Sequence, residues 1–116
     1  MENADRSKFD LLYAVKENGS LQDIRPAGHA LKFDGTDYYV LKLWFLYGFT
    51  YFLVKNRADQ TRYTLFTRKV DTPDGVRFQN PIGSASNRHD LKDYLEIKIP
   101  IFREGIFMSL FPDPMN

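Results

Sequence analysis

Residues 38–54, YYVLKLWFLYGFTYFLV, decide the fold. This is the densest apolar stretch of the chain, and one glycine, Gly48, interrupts it. In an extended backbone, Tyr39, Leu41, Leu43, Phe45 and Tyr47 share one face, and Val40, Lys42, Trp44 and Leu46 the other. The first face is apolar throughout and is expected in a core. The second mixes an ammonium with an indole and is expected to face solvent or a partner. Aromatic and β-branched residues favour a pleated surface. The stretch therefore reads as two core strands joined or bent at Tyr47-Gly48. A membrane span is set aside, because a spanning helix needs about 20 apolar residues and Lys42 interrupts a shorter run.

Working outward, Ala30–Phe33 runs into Asp34-Gly35, the strongest hairpin signal in the chain. Upstream, Phe9, Leu11, Tyr13 and Val15 alternate as in a strand, although Phe9, Leu12, Tyr13 and Lys16 would also suit a short helix. Asn18-Gly19 then marks a tight turn, and Leu21–Ile24 reads as a short strand before a break or bulge at Pro26 and Gly28. Downstream, Asn56–Thr61 is a polar connection and Arg62–Val70 a strand. Tyr63 and Leu65 lie on one face of that strand and Arg62, Thr64, Phe66 and Arg68 on the other. Asp71–Gly75 is a turn, Val76–Phe78 a short strand, and Asn80–Leu91 reads as a loop. Asp93–Ile99 is a strand with Leu95, Ile97 and Ile99 inward; Gly105–Phe111 is the last. Residues 1–7 and 112–116 read as loose termini.

Short strands at this spacing predict one mostly-β domain, a small antiparallel sandwich or barrel, with one short helix as an option near the start. At 116 residues the chain is one domain, long enough for a core without staples. It has no cysteine, which excludes disulfides and thiolate chemistry. The polar start, MENADRSKFD, has no apolar leader segment, so a cytoplasmic location is expected. Net charge is +1, too small for a strong global field. Yet between Lys55 and Arg88 seven cations face three anions, Asp59, Asp71 and Asp74.

Catalytic signatures are thin. His89-Asp90 resembles part of a metal-ligand doublet, but His29 is the only other histidine, and two ligands do not close a site. Ser84 or Ser86 near His89 lacks a nucleophile elbow. Acids gather at turns, where Asp is expected for backbone reasons. No enzymatic activity, cofactor or metal is predicted. What remains is aromatics interleaved with cations on outward faces: Lys42 with Trp44, Arg62 with Phe66 and Arg68, and Lys92 with Tyr94 and Lys98. Protein interfaces use this chemistry, and so do single-strand nucleic-acid binders.

The C-terminal third, Ile82-Gly83-Ser84-Ala85, then Lys92–Ile99, then Gly105–Phe111, resembles a family of small proteins of unknown function carried by plasmids and integrative conjugative elements. That family shows an Ile-Gly-Ala-Ala-like turn, an Asp-Tyr-Leu-x-Val-Lys-Leu strand and a closing Ala-Asn-Leu-Phe-like strand. It has a Trp after the small residues, where this chain has Ser86. The resemblance implies a bacterial or mobile-element accessory protein and carries no activity.

The expectation is a non-enzymatic accessory or inhibitor module that binds a partner protein through Lys42, Trp44, Arg57, Arg62, Phe66, Arg68 and Tyr94. The alternative is a single-stranded nucleic-acid binder with an OB-like barrel. Homodimerisation through a strand edge is compatible with both.

Overall fold

The inward parity expected of Tyr39, Leu41 and Leu43, continued by Tyr51 and Leu53, becomes part of the lining of a closed barrel. The computed structural model describes residues 6–44, 48–87, 92–100 and 105–112. They form eight strands: β1 (Arg6–Glu17), β2 (Ser20–Phe33), β3 (Tyr38–Leu43), β4 (Tyr51–Lys55), β5 (Arg62–Thr72), β6 (Gly75–Asn87), β7 (Tyr94–Lys98) and β8 (Gly105–Ser109). Each pairs antiparallel with the next, and β8 pairs back onto β1, so the order is a simple meander closed into a barrel. Of the two architectures the spacing allowed, the barrel is the one formed. Lys8–Lys16 lies within β1, in strand conformation.

The interior is filled by apolar side chains. Phe9, Leu11, Ala30, Leu41, Leu43, Leu53, Leu65, Ala85, Leu95, Ile97, Ile106 and Met108 are all buried in one cluster. Small residues sit where strands approach closely. A Cβ on Gly28 would collide with the Lys42 carbonyl oxygen, and one on Gly83 with that of Lys98. Tyr39, Tyr63 and Leu110 pack against this core. On the outside of β1 and β8, Ala14 and Phe107 form a second small cluster covered by Leu21 and Tyr94.

Several strands are longer than the sequence pattern predicted. Leu21–Ile24 and Ala30–Phe33 are parts of one strand, β2; Pro26 and Gly28 lie at a bulge rather than a break. Along β1, Phe9, Leu11 and Tyr13 face the core as the alternation predicts, whereas Val15, beyond the last residue paired with β8, is exposed, and Ala14 is buried in the outer cluster. Asn80–Asn87 is not a loop but the continuation of β6, as is the Ile82–Ala85 segment read as a turn. Its irregular sequence is absorbed by a bulge between Leu65 and Phe66 and by Asn80 at φ 60°. Pro81 is tolerated there, as prolines are at bulges. Phe49 precedes β4 and is exposed, not a core residue. Four predicted features lie outside the described residues: residues 1–5 of the loose start, Phe45 to Tyr47, the His89-Asp90 pair, and residues 113–116 of the tail; Arg6 and Ser7, read as part of that loose start, belong to β1.

Turn chemistry follows the sequence closely. Asn18 and Gly19 both have positive φ (52° and 78°), as a two-residue hairpin with matched twist requires. Thr36 closes the Asp34-Gly35 turn by donating through both N and Oγ1 to the Phe33 carbonyl (3.1 and 2.8 Å). Thr72 Oγ1 donates to the Gly75 carbonyl across Pro73-Asp74 (2.7 Å).

Candidate functional site

The β5–β6 hairpin positions the features that bear on function. β4 pairs with β5 only as far as Phe66, and β6 pairs with β7 only from Ser84. Beyond these points the hairpin is a two-stranded arm. It does not stand out into solvent but bends at the Phe66/Pro81 bulge and lies across the outer wall of β4 and β3. Its Phe78 ring is 5.0 Å from Tyr38, 5.8 Å from Phe52 and 5.7 Å from Phe66. Lys69 sits 5.7 Å over the Tyr38 ring, and its Nζ donates to the Tyr38 hydroxyl at 3.5 Å. These half-buried rings act as a small external core that holds the arm down.

A cleft runs along each flank of the arm. The first, about 680 Å³, is lined by Phe49, Thr50, Phe52, Arg68, Lys69 and Ile82 among others. Lys42 adjoins it by donating from Nζ to Thr50 Oγ1 at 2.6 Å. Trp44 and Phe49, 57% and 60% exposed, lie on the two strand-end segments of the same β3–β4 connection. The second cleft, about 760 Å³, opens at the opposite end of the barrel beside Lys32, Asp37, Lys55, Arg57, Tyr63 and Phe78.

Of the residues predicted to bind a partner, Arg68 lines the first cleft, Lys42 adjoins it through Thr50, and Trp44 is exposed two residues beyond Lys42. Arg57 lines the other cleft. Arg62 stands at the start of β5, paired with Asp59 (Nε to Oδ2, 3.4 Å). Asp59 also accepts from Thr61 through its hydroxyl and backbone NH (2.6 and 3.0 Å). Those two bonds, with Arg62 adding a smaller share, hold the carboxyl below its ordinary value. Phe66 is occupied in the ring cluster under the arm. Tyr94 is on another wall, half-buried against Phe107 and Ala14. The chosen residues therefore do not form one surface.

Sequence reasoning missed Phe49, Lys69, Lys32, Lys55 and the Tyr38/Phe78 contact. Only Phe49 left a usable signal, a large ring directly after a turn glycine. Nothing local announces that the arm folds back. Among the described residues, no group of three or more His or acidic side chains is placed to hold a metal. No helix among them is long and apolar enough to cross a membrane. Comparison of the chain with family models, with curated proteins and with solved structures finds no match.

Proposed function

We propose that this domain is a non-enzymatic accessory module that binds a partner protein on the wall formed by the β3–β4 end and the adjoining flank of the arm. The observation that carries the reading is two exposed rings on the β3–β4 connection, Trp44 and Phe49, of which Phe49 lines a groove whose charged lining residues are Arg68 and Lys69. Aromatic anchors bordered by cations are the chemistry of interface hot spots. The basic rim favours a partner surface rich in carboxylates. The resemblance of the C-terminal third to plasmid-borne and conjugative-element proteins supports a bacterial accessory role acting inside the cell.

Affinity capture with the tagged chain, with and without nuclease, tests this. A protein retained after nuclease, and lost from a Trp44→Ala/Phe49→Ala variant that melts like the parent, is the expected result. Capture that depends on nucleic acid moves the function to single-strand binding. So does affinity for a single strand that falls steeply with salt.

A further inference from the structure

We propose that the cleft at the Asp34–Asp37 end of the barrel is a binding site for a mononucleotide, a flat aromatic ring carrying a phosphate. The proposal does not rest on the partner-binding reading, because the cleft is on the other flank of the arm from Trp44 and Phe49. Three cations reach it from separate parts of the chain: Lys32 near the end of β2, Lys55 at the end of β4, and Arg57 in the following loop. Among the described residues none of the three is held in an ion pair, and Asp37 is the one acid in the lining. Like charges gathered in this way are relieved by a bound anion, and Arg and Lys are the usual phosphate ligands.

The remaining lining is suited to a ring. Tyr39 and Tyr63 lie with centroids 6.2 Å apart and tilted by 60°, and Lys55 Nζ is 5.9 Å from the Tyr63 ring. Tyr39 and Tyr63 reach the cleft from the core side of the barrel rim, and Tyr38 and Phe78, edge to face at 5.0 Å, from its outer wall, where the arm supplies part of the lining. Bases stack on such rings whatever their sequence, and the Gln60 carboxamide is at hand for a base edge. Asn56 keeps the loop in shape, its Oδ1 accepting from the backbone NH groups of Ala58 and Asp59 (2.8 and 3.3 Å). The volume, about 760 Å³, falls within the roughly 300–1,000 Å³ of small-molecule sites. A free mononucleotide and the phosphorylated end of a single strand present the same chemistry.

Calorimetric titration of the full chain with AMP, UMP, inorganic phosphate and a 5′-phosphorylated oligothymidylate tests the assignment. Saturable binding of a mononucleotide is expected, about tenfold or more tighter than inorganic phosphate. The exposed pair Lys55→Gln/Arg57→Gln should weaken it by about tenfold or more without lowering the melting temperature, and Trp44→Ala should leave it unchanged. Absence of saturable binding overturns the proposal. So does equal affinity for inorganic phosphate, or binding indifferent to the Lys55/Arg57 pair. If the oligonucleotide binds far more tightly than the mononucleotide and shows the same loss in that variant, the site takes a strand end. If the two bind alike, it takes the free nucleotide. Either result upholds the chemistry.

Discussion

Gly28 is a point at which the barrel wall admits no side chain. Its φ is 151°, and a Cβ would meet the Lys42 carbonyl oxygen and the Leu43 backbone. Gly28→Ala is therefore expected to cost roughly 2–4 kcal/mol, strain and overpacking together. Gly35 offers a control: its φ of 85° is also left-handed, but open space surrounds it. Gly35→Ala should cost only about 1 kcal/mol. Urea unfolding of both variants checks the contrast, and equal losses would remove the steric argument. The neighbouring His29 is pushed below its ordinary value of 6.5, first by burial and then by Lys8 and Lys42, against a smaller opposing pull from Asp10. The fold thus prefers the neutral imidazole. Its stabilising share is complete above about pH 6.5 and is lost as pH falls from there through the depressed value. His29→Gln should flatten that part of the stability profile. In the parent, NMR titration should place the His29 midpoint below 6.5; a midpoint at or above it refutes the assignment.

At the scale of elements, the arm is held by rings that are only half-buried, so its attachment is weaker than the barrel itself. Phe78→Ala removes the ring that touches Tyr38, Phe52 and Phe66. We expect a loss of about 1–3 kcal/mol, below the range for a fully buried ring. The backbone amides of residues 67–79 should exchange early, while those of Leu41, Leu53 and Leu65 keep their protection. Uniform loss across the chain would mean that the arm and barrel form one cooperative unit. Asn80, at φ 60°, supplies a second check: Asn80→Gly should be near neutral, and Asn80→Val should cost about 1–2 kcal/mol.

The same elements mark what the sequence could and could not disclose. Period-two alternation located β3, β4, β7 and the start of β5, because each has one face in the core. Asn18-Gly19 and Asp34-Gly35 announced their turns through backbone chemistry. The long strands β2 and β6 were hidden because bulges break the period at Asp23, Pro26 and Asn80. Val15 was misjudged for another reason: it lies past the last β1 residue that pairs with β8, and it is exposed. The candidate surface was half legible. Outward parity found Lys42 and Trp44, but which outward residues share a flank depends on the arm folding over, and no local pattern encodes that.

Across the whole molecule, closure removes the open sheet edges of the barrel wall, through which β proteins aggregate, and leaves edges only where the β1–β2 and β5–β6 hairpins run past it. It also fills the interior, so recognition is confined to the outer wall and the ends. Trp44, the chain's single tryptophan, reports on that wall directly. Its fluorescence should be strongly quenched by iodide and acrylamide in the free protein, and protected when a partner occupies the β3–β4 end. A tryptophan shielded in the free chain would remove it from the proposed surface.

The seam that completes the barrel is short: Leu11 to Ala14 against Met108 to Gly105. It joins segments more than ninety residues apart, so during synthesis β1 waits for its neighbour. At roughly 5–20 residues per second on the ribosome, that wait lasts about 5–20 s. Throughout it β1, paired with β2 on one side, keeps the other edge at Leu11 to Ala14 open, an edge that the finished molecule conceals. The nascent chain, not the folded protein, is where this design is most exposed to misassociation. Changes that slow translation between β2 and β7 should lower soluble yield without altering the stability of the molecules that do fold.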